Sequence, residues 1–502
     1  MTPYQTLETR FRRLGTLGEA AAMLQWDSAT QMPEGAAPAR AEQTATLRVI
    51  SHEILTQPDT GDLLAGAEAQ NELDQWQRAN LREMRRRWLH ATALPPELVE
   101  ALTKACSASE MVWRKARPAG DFAAVRPHLK KVLSLVREAA AAKAARLGTS
   151  PYEALLDEYE PGGTTAAIDA LFDDLAAMLP GLIDGALAHQ AALGSPLPLE
   201  DPFPVETQRR LGVEFMKRLG FDFEHGRLDI SLHPFCSGTP DDVRITTRYD
   251  ETNFTRALMG VLHETGHALY ERGLPAAWRR QPVGDARGMS VHESQSLLVE
   301  MQACRSREFL EFAAPLLREA FGGKGPAWEA DNLYRIYTRV ERGFIRVDAD
   351  EVTYPAHVIL RYRLEKAMVA GDLEVEDLPG EWNRGMRELI GVTPPSDREG
   401  CLQDIHWYDG AWGYFPTYTL GAMTAAQIFV TAKRAVPSIP AAIARGDFSP
   451  LLAWLRANVH GKGSLLPTDE LLRQATGSSL DAGIYEDHLK RRYLGEPKDT
   501  AC

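Results

Sequence analysis

The stretch Asn253-Phe-Thr-Arg-Ala-Leu-Met-Gly-Val-Leu-His-Glu-Thr-Gly-His-Ala-Leu-Tyr-Glu-Arg-Gly273 reads as one helix. Thr252 or Asn253 can cap its start, and Gly273 followed by Pro275 supplies the stop. Leu258, Leu262 and Leu269 share a broad face with Ala257 and Ala268, which predicts a helix packed inside a body of other elements. His263 and His267 are four residues apart, so both can point at one metal ion. Glu264 projects beside them, where it can polarise a water and shuttle its proton. This is the H-E-x-x-H pattern, whose chemistry is zinc-assisted hydrolysis of a peptide bond. The bland alternative, two core histidines bonded to backbone carbonyls, leaves Glu264 without a role.

A catalytic zinc takes a third protein ligand and keeps a position for water. The next candidate is His292-Glu293-Ser294-Gln295-Ser296, which opens the apolar run Leu297-Leu298-Val299-Glu300-Met301. Glu293 stands 26 residues after His267, room for a helix end, a loop and the first turn of another helix. It would complete a His-His-Glu set. Ser290 and Glu293 also fit a capping box, with Glu293 reaching back to the Ser290 amide; the zinc helix upstream favours ligation.

The formal net charge of -13, with no basic run, disfavours nucleic acid and anionic membranes as partners. No apolar stretch has the length of a membrane span, and the N-terminus lacks a signal-peptide core. Cys106, Cys236, Cys304, Cys401 and Cys502 are scattered, without a C-x-x-C pair, and read as free thiols of a reducing compartment. A cytoplasmic protein is expected. Ala-, Leu-, Glu- and Arg-rich runs such as 71–92, 125–147 and 169–193 predict helices. Between Gly226 and Tyr249 the pattern changes: 227–233 and 243–249 alternate in polarity around Ser237-Gly-Thr-Pro-Asp, which predicts a small β-hairpin or sheet. Its edge could pair with an extended peptide or be purely structural. Residues 194–204 form a Pro-rich connector, with no composition break that marks a second domain, and the polar tail after Gly495 is expected to fray.

Further motifs fall in order along the chain. Trp26-Asp27 is followed by His233-Pro234-Phe235 and by Asp242-Val243-Arg244-Ile245-Thr246. After the zinc helix and the Glu293 motif come Ile345-Arg346-Val347-Asp348-Ala349-Asp350 and Gly400-Cys401-Leu402-Gln403-Asp404-Ile405-His406-Trp407. The last is Gly413-Tyr414-Phe415-Pro416-Thr417-Tyr418-Thr419-Leu420-Gly421. Together they resemble the M32 metallocarboxypeptidases (thermostable carboxypeptidase 1, carboxypeptidase Taq-like) over nearly the whole chain. The resemblance implies a single large all-α body across 1–502 with a deep active-site groove and a small β element near the zinc helix. Residues 1–200 would form a helical part covering the groove, and 201–502 the part with the zinc site. It also implies a homodimer.

A carboxypeptidase must hold its substrate's terminal carboxylate, and a guanidinium meets a carboxylate with two parallel hydrogen bonds. Arg346, in the motif resembling a family signature, is the expected anchor; the alternative is a structural pair with Asp348, Asp350 or Glu351. Arg244, close to Asp241 and Asp242, reads as structural. His406 and Tyr418 are the candidate donors to the developing oxyanion, with Tyr414 competing for that place. Tyr414 and His233 join Arg346 as candidate substrate-binding residues, and Asp404 could orient His406 or a ligand imidazole. The function expected is removal of single C-terminal residues from peptides by zinc-activated water, with Glu264 as base and then acid. Co2+ or Mn2+ could replace Zn2+. The rivals are a zinc oligopeptidase or dipeptidyl-peptidase on the same site, and a non-catalytic helical binding protein that keeps the zinc.

Overall fold

Helices make up nearly all the regular structure in the computed structural model, which describes residues 1–495. The polar tail beyond Gly495, with Cys502, lies outside the described residues. The Ala- and Leu-rich runs fold as expected, into Gln75–Ala93, Phe122–Leu147 and Thr165–Leu193. Where a helix must reverse quickly, the chain uses glycine: Pro96–Ala119 and Phe122–Leu147 end at Gly120 and Gly148, with left-handed φ of 66° and 72°. The main core is continuous from Trp113 to Tyr493 and is built on large fully buried rings such as Phe172, Tyr362, Trp382 and Trp412. A smaller cluster of Tyr4, Leu7, Phe11, Leu64 and Met84 holds the first helices to one another. Among the described residues no helix is long and apolar enough to cross a membrane.

The β element is a three-stranded sheet, β1 (Gly226–Ile230), β2 (Cys236–Thr239) and β3 (Asp242–Thr247), in the order β1-β3-β2. Its pairing is richer than one hairpin. Ser237-Gly-Thr, expected between the strands, is itself strand β2, and it pairs antiparallel with β3. The expected first strand instead runs parallel to β3, with Gly226 opposite Val243 and Ile230 opposite Thr247. β3 buries Val243 and Ile245 against Val261 and Ala268, so the sheet lies on the back of the helix Phe254–Gly273. Arg244 has a structural place here, as expected. Asp242 accepts from it at 2.7 Å, and its guanidinium covers the Trp26 ring at 4.2 Å.

Three helices set the site. The metal helix is Phe254–Gly273, capped by Asn253, whose side chain accepts from the Thr255 amide. The ligand helix is Gly288–Leu297, which runs into a π-helical turn at Leu298–Ala303. The bracing helix is Pro416–Ala435. They approach more closely than side chains permit. A Cβ at Gly266 would stand 2.5 Å from the Gln295 carbonyl oxygen and 2.6 Å from the Ser296 Cα. A Cβ at Gly421 would stand 2.9 Å from the Glu293 Cβ. The ligand helix is thus gripped on both sides through glycines.

Candidate active site

His263, His267 and Glu293 converge, each offering a ligand atom within 4.8 Å of the others. His263 Nε2 is 3.8 Å from Glu293 Oε1, and His267 Nε2 is 3.5 Å from Glu293 Oε2. Donors about 2.0–2.2 Å from a tetrahedral ion stand roughly 3.3–3.5 Å apart, so the set fits zinc with little adjustment. Ser290 donates its amide to Glu160 at 3.2 Å, and no side chain caps the ligand helix, so Glu293 is free of the capping role. Burial pushes Glu293 up, but His263 and His267 outweigh it and hold the carboxylate down at about 2. Burial brings His267 down to about 4, the neutral form that a ligand needs. On His263 the burial is outweighed by Glu293 and by the bond to Glu300, which raise it to about 10. Burial lifts Glu264 to about 7, against the pull of His263.

A second ring of residues, missed in the sequence, holds these side chains. His263 Nδ1 meets Glu300 at 2.9 Å, and Arg305 donates to Glu300 at 2.5 Å. His267 Nδ1 meets His292 Nδ1 at 2.7 Å, and His292 Nε2 meets Glu271 at 2.8 Å. Signals for two of these were present. Glu300 is a lone charge inside an apolar run, and Glu271 follows His267 by one helical turn.

Arg346 is 6% exposed, and none of its expected structural partners holds it. Its Nε and Nη2 donate to Asp404 Oδ1 at 3.0 and 2.8 Å, while Arg361 donates to Asp404 Oδ2 at 2.6 Å. Asp404 therefore clamps two guanidiniums, and their charges hold it far below the usual carboxylate range despite its burial. Its bonds go to these arginines rather than to an imidazole. The Arg346 guanidinium lies 4.8 Å from the Tyr418 ring centre. His406 Nε2 meets the Tyr418 hydroxyl at 3.2 Å, and burial brings this histidine down to about 4. Tyr414 packs edge-on at 5.1 Å from Tyr418 and is hydrogen-bonded to it. The charges of both Arg346 and Glu293 act on Tyr354 and Tyr418, so these two phenols lie between the arginine and Glu293. His233 stands apart from these contacts, exposed on the loop from β1 to β2.

The model of the "Carboxypeptidase Taq (M32) metallopeptidase" family matches residues 6–493. Thermostable carboxypeptidase 1 of Thermus thermophilus is 39% identical, over 98% of this chain and 99% of its own. Carboxypeptidase 1 of Bacillus subtilis is 33% identical, over 96% of both chains. Metallocarboxypeptidase 1 of Trypanosoma cruzi superposes with a TM-score of 0.96 at 44% identity, covering 98% of this chain and 99% of that one. Pyrococcus furiosus carboxypeptidase gives 0.93 at 34% identity, covering 98% and 99%. With the family matched along almost its full length, the chain belongs to the carboxypeptidase Taq (M32) metallopeptidases.

Proposed function

We propose that this protein removes single residues from the free C-termini of peptides, with His263, His267 and Glu293 holding Zn2+, or Co2+ or Mn2+ in its place. The convergence of these ligand atoms beside an acid that is not one of them carries the reading. A divalent ion there supplies Lewis acidity, lowering the pKa of water toward about 7 and polarising the scissile carbonyl. Glu264 takes the proton of the attacking water and returns it to the leaving amine. Arg346 receives the terminal carboxylate, with its guanidinium held in place by Asp404 through Nε and Nη2. Tyr418, tied to His406, donates to the developing oxyanion, while Tyr414 and His233 contact the peptide. The whole chain acts as one peptidase unit, its helices before residue 201 covering the groove and the remainder carrying the site. It works as a homodimer in the cytoplasm.

The test uses zinc-loaded protein with an N-acetylated peptide that has a free C-terminus, beside its C-amidated twin, read by mass spectrometry. A ladder of single losses from the free peptide alone is expected, together with a raised KM on that peptide in Arg346→Ala. Internal or paired-residue cleavage of both peptides would instead mean a zinc oligopeptidase. No turnover with zinc bound would mean a binding protein.

A further inference from the structure

A histidine ligates a metal through one nitrogen, and the hydrogen bond on the other decides which nitrogen is available. His263 has a simple arrangement. Its Nδ1 lies 2.9 Å from Glu300 Oε2; a carboxylate accepts, so Nδ1 donates there, and Nε2, which faces Glu293, is the nitrogen that would turn to the metal. His267 has no carboxylate on its Nδ1. That nitrogen meets another imidazole nitrogen, His292 Nδ1, at 2.7 Å, a contact that holds one proton between two nitrogens. The owner of that proton follows from the far side of His292. Its Nε2 is 2.8 Å from Glu271 Oε1; a carboxylate only accepts, so Nε2 donates there and Nδ1 is the nitrogen placed to accept from His267. The shared proton therefore sits on His267 Nδ1, and the lone pair of His267 Nε2 is left for the metal.

We infer that His292, held by Glu271, is a positioning residue that fixes the tautomer and ring orientation of His267 and so sets the affinity of the site for its divalent cation. The inference rests on His263, His267 and Glu293 being the ligands. The strut also spans the two ligand-bearing elements: Glu271 lies on the metal helix and His292 on the ligand helix, next to Glu293. Each end is anchored in an element that the metal itself joins.

Zinc dissociation constants measured by competition with a chromophoric chelator test this, together with the visible spectrum of the Co2+ form and the Tm of the zinc-stripped protein. His292→Phe keeps a ring but loses the acceptor, and should weaken zinc binding about 10- to 100-fold. His292→Asn places an amide oxygen near the former Nδ1 and should recover most of that loss. Glu271→Gln still accepts from His292 and should cost less than His292→Phe. Zinc binding in His292→Phe equal to wild type overturns the inference. So does equal weakening in His292→Phe and His292→Asn, which would mark a packing effect. If His292→Phe fails to fold, Glu271→Ala, which removes the acceptor from His292, overturns it instead by leaving the zinc affinity and the Co2+ spectrum unchanged. His267→Ala separates the layers. Undiminished zinc binding there would bring down the ligand set, whereas its loss beside an unaffected His292→Phe would bring down only the strut.

Discussion

Glu264 follows His263 directly in the chain, on the same helix, and is not one of the three clustered side chains that could hold a metal. Its replacement should therefore separate chemistry from metal binding. Glu264→Gln is expected to keep stoichiometric zinc, by elemental analysis, while kcat falls roughly 10²- to 10⁴-fold, the usual worth of a general acid–base group. A kcat near that of wild type would hand the proton transfer to another residue. At this scale the sequence was readable wherever spacing is local. The i, i+4 histidines declare themselves because a helix fixes their geometry. The Arg346–Asp404 pair spans 58 residues, and no local period announces it, so the sequence offered Asp404 only as a possible partner of an imidazole, whereas its hydrogen bonds go to two arginines. Tyr414 and Tyr418 competed for one role because they share a short motif; their hydroxyls are bonded to one another, so both belong to one cluster.

Among elements, the contact at Gly266 decides how firmly the metal helix meets the ligand helix. Gly266→Ala would gain about 1 kcal/mol of helix propensity. It would also press a methyl group against the Gln295 backbone, which cannot rotate aside, at a cost of about 1–3 kcal/mol. A lower Tm with weaker zinc binding is expected; an unchanged Tm would mean that the two helices can part without penalty. The C-terminal helix Ala482–Tyr493 is attached through Glu351, which accepts from Gln302, His488, Arg492 and Tyr493. Burial pushes Glu351 up, but Arg492 and His488 outweigh it and hold it below its ordinary 4.5. A carboxylate depressed in the folded state binds fewer protons than in the unfolded chain. Its stabilisation is thus present above pH 4.5 and fades as pH falls further. Glu351→Gln should lower the Tm clearly at pH 7, and the gap to wild type should shrink below pH 4.5; a gap independent of pH would contradict this linkage. β1 and β3 were legible by alternation, but β2 and the pairing were not. Period two places residues on faces and says nothing of partner direction, which the intervening β2 determines.

For the molecule as a whole, a metal held by His263, His267 and Glu293 would tie together two helices of one continuous core, so its removal should be felt globally. A ligand that binds only the folded state adds roughly 4 kcal/mol when its free concentration is a thousand times Kd. Chelation should lower the Tm by several degrees, and the Tm should climb with the logarithm of free zinc; a Tm indifferent to zinc would place the site outside the cooperative unit. The largely helical character was legible from long runs of good helix formers. The ring of residues behind the ligands was mostly not, because it forms only when distant helices pack.

The grip on Gly421 has a consequence for how the protein is made. A nascent chain that ends at Ala303 already carries His263, His267 and Glu293. The helix that walls Glu293 continues to Ala435, so the ribosome must synthesise more than a hundred further residues before that carboxylate is braced. A half-made chain would thus possess all three side chains without the wall that braces Glu293, and any activity that depends on that bracing would wait until the polypeptide is nearly finished.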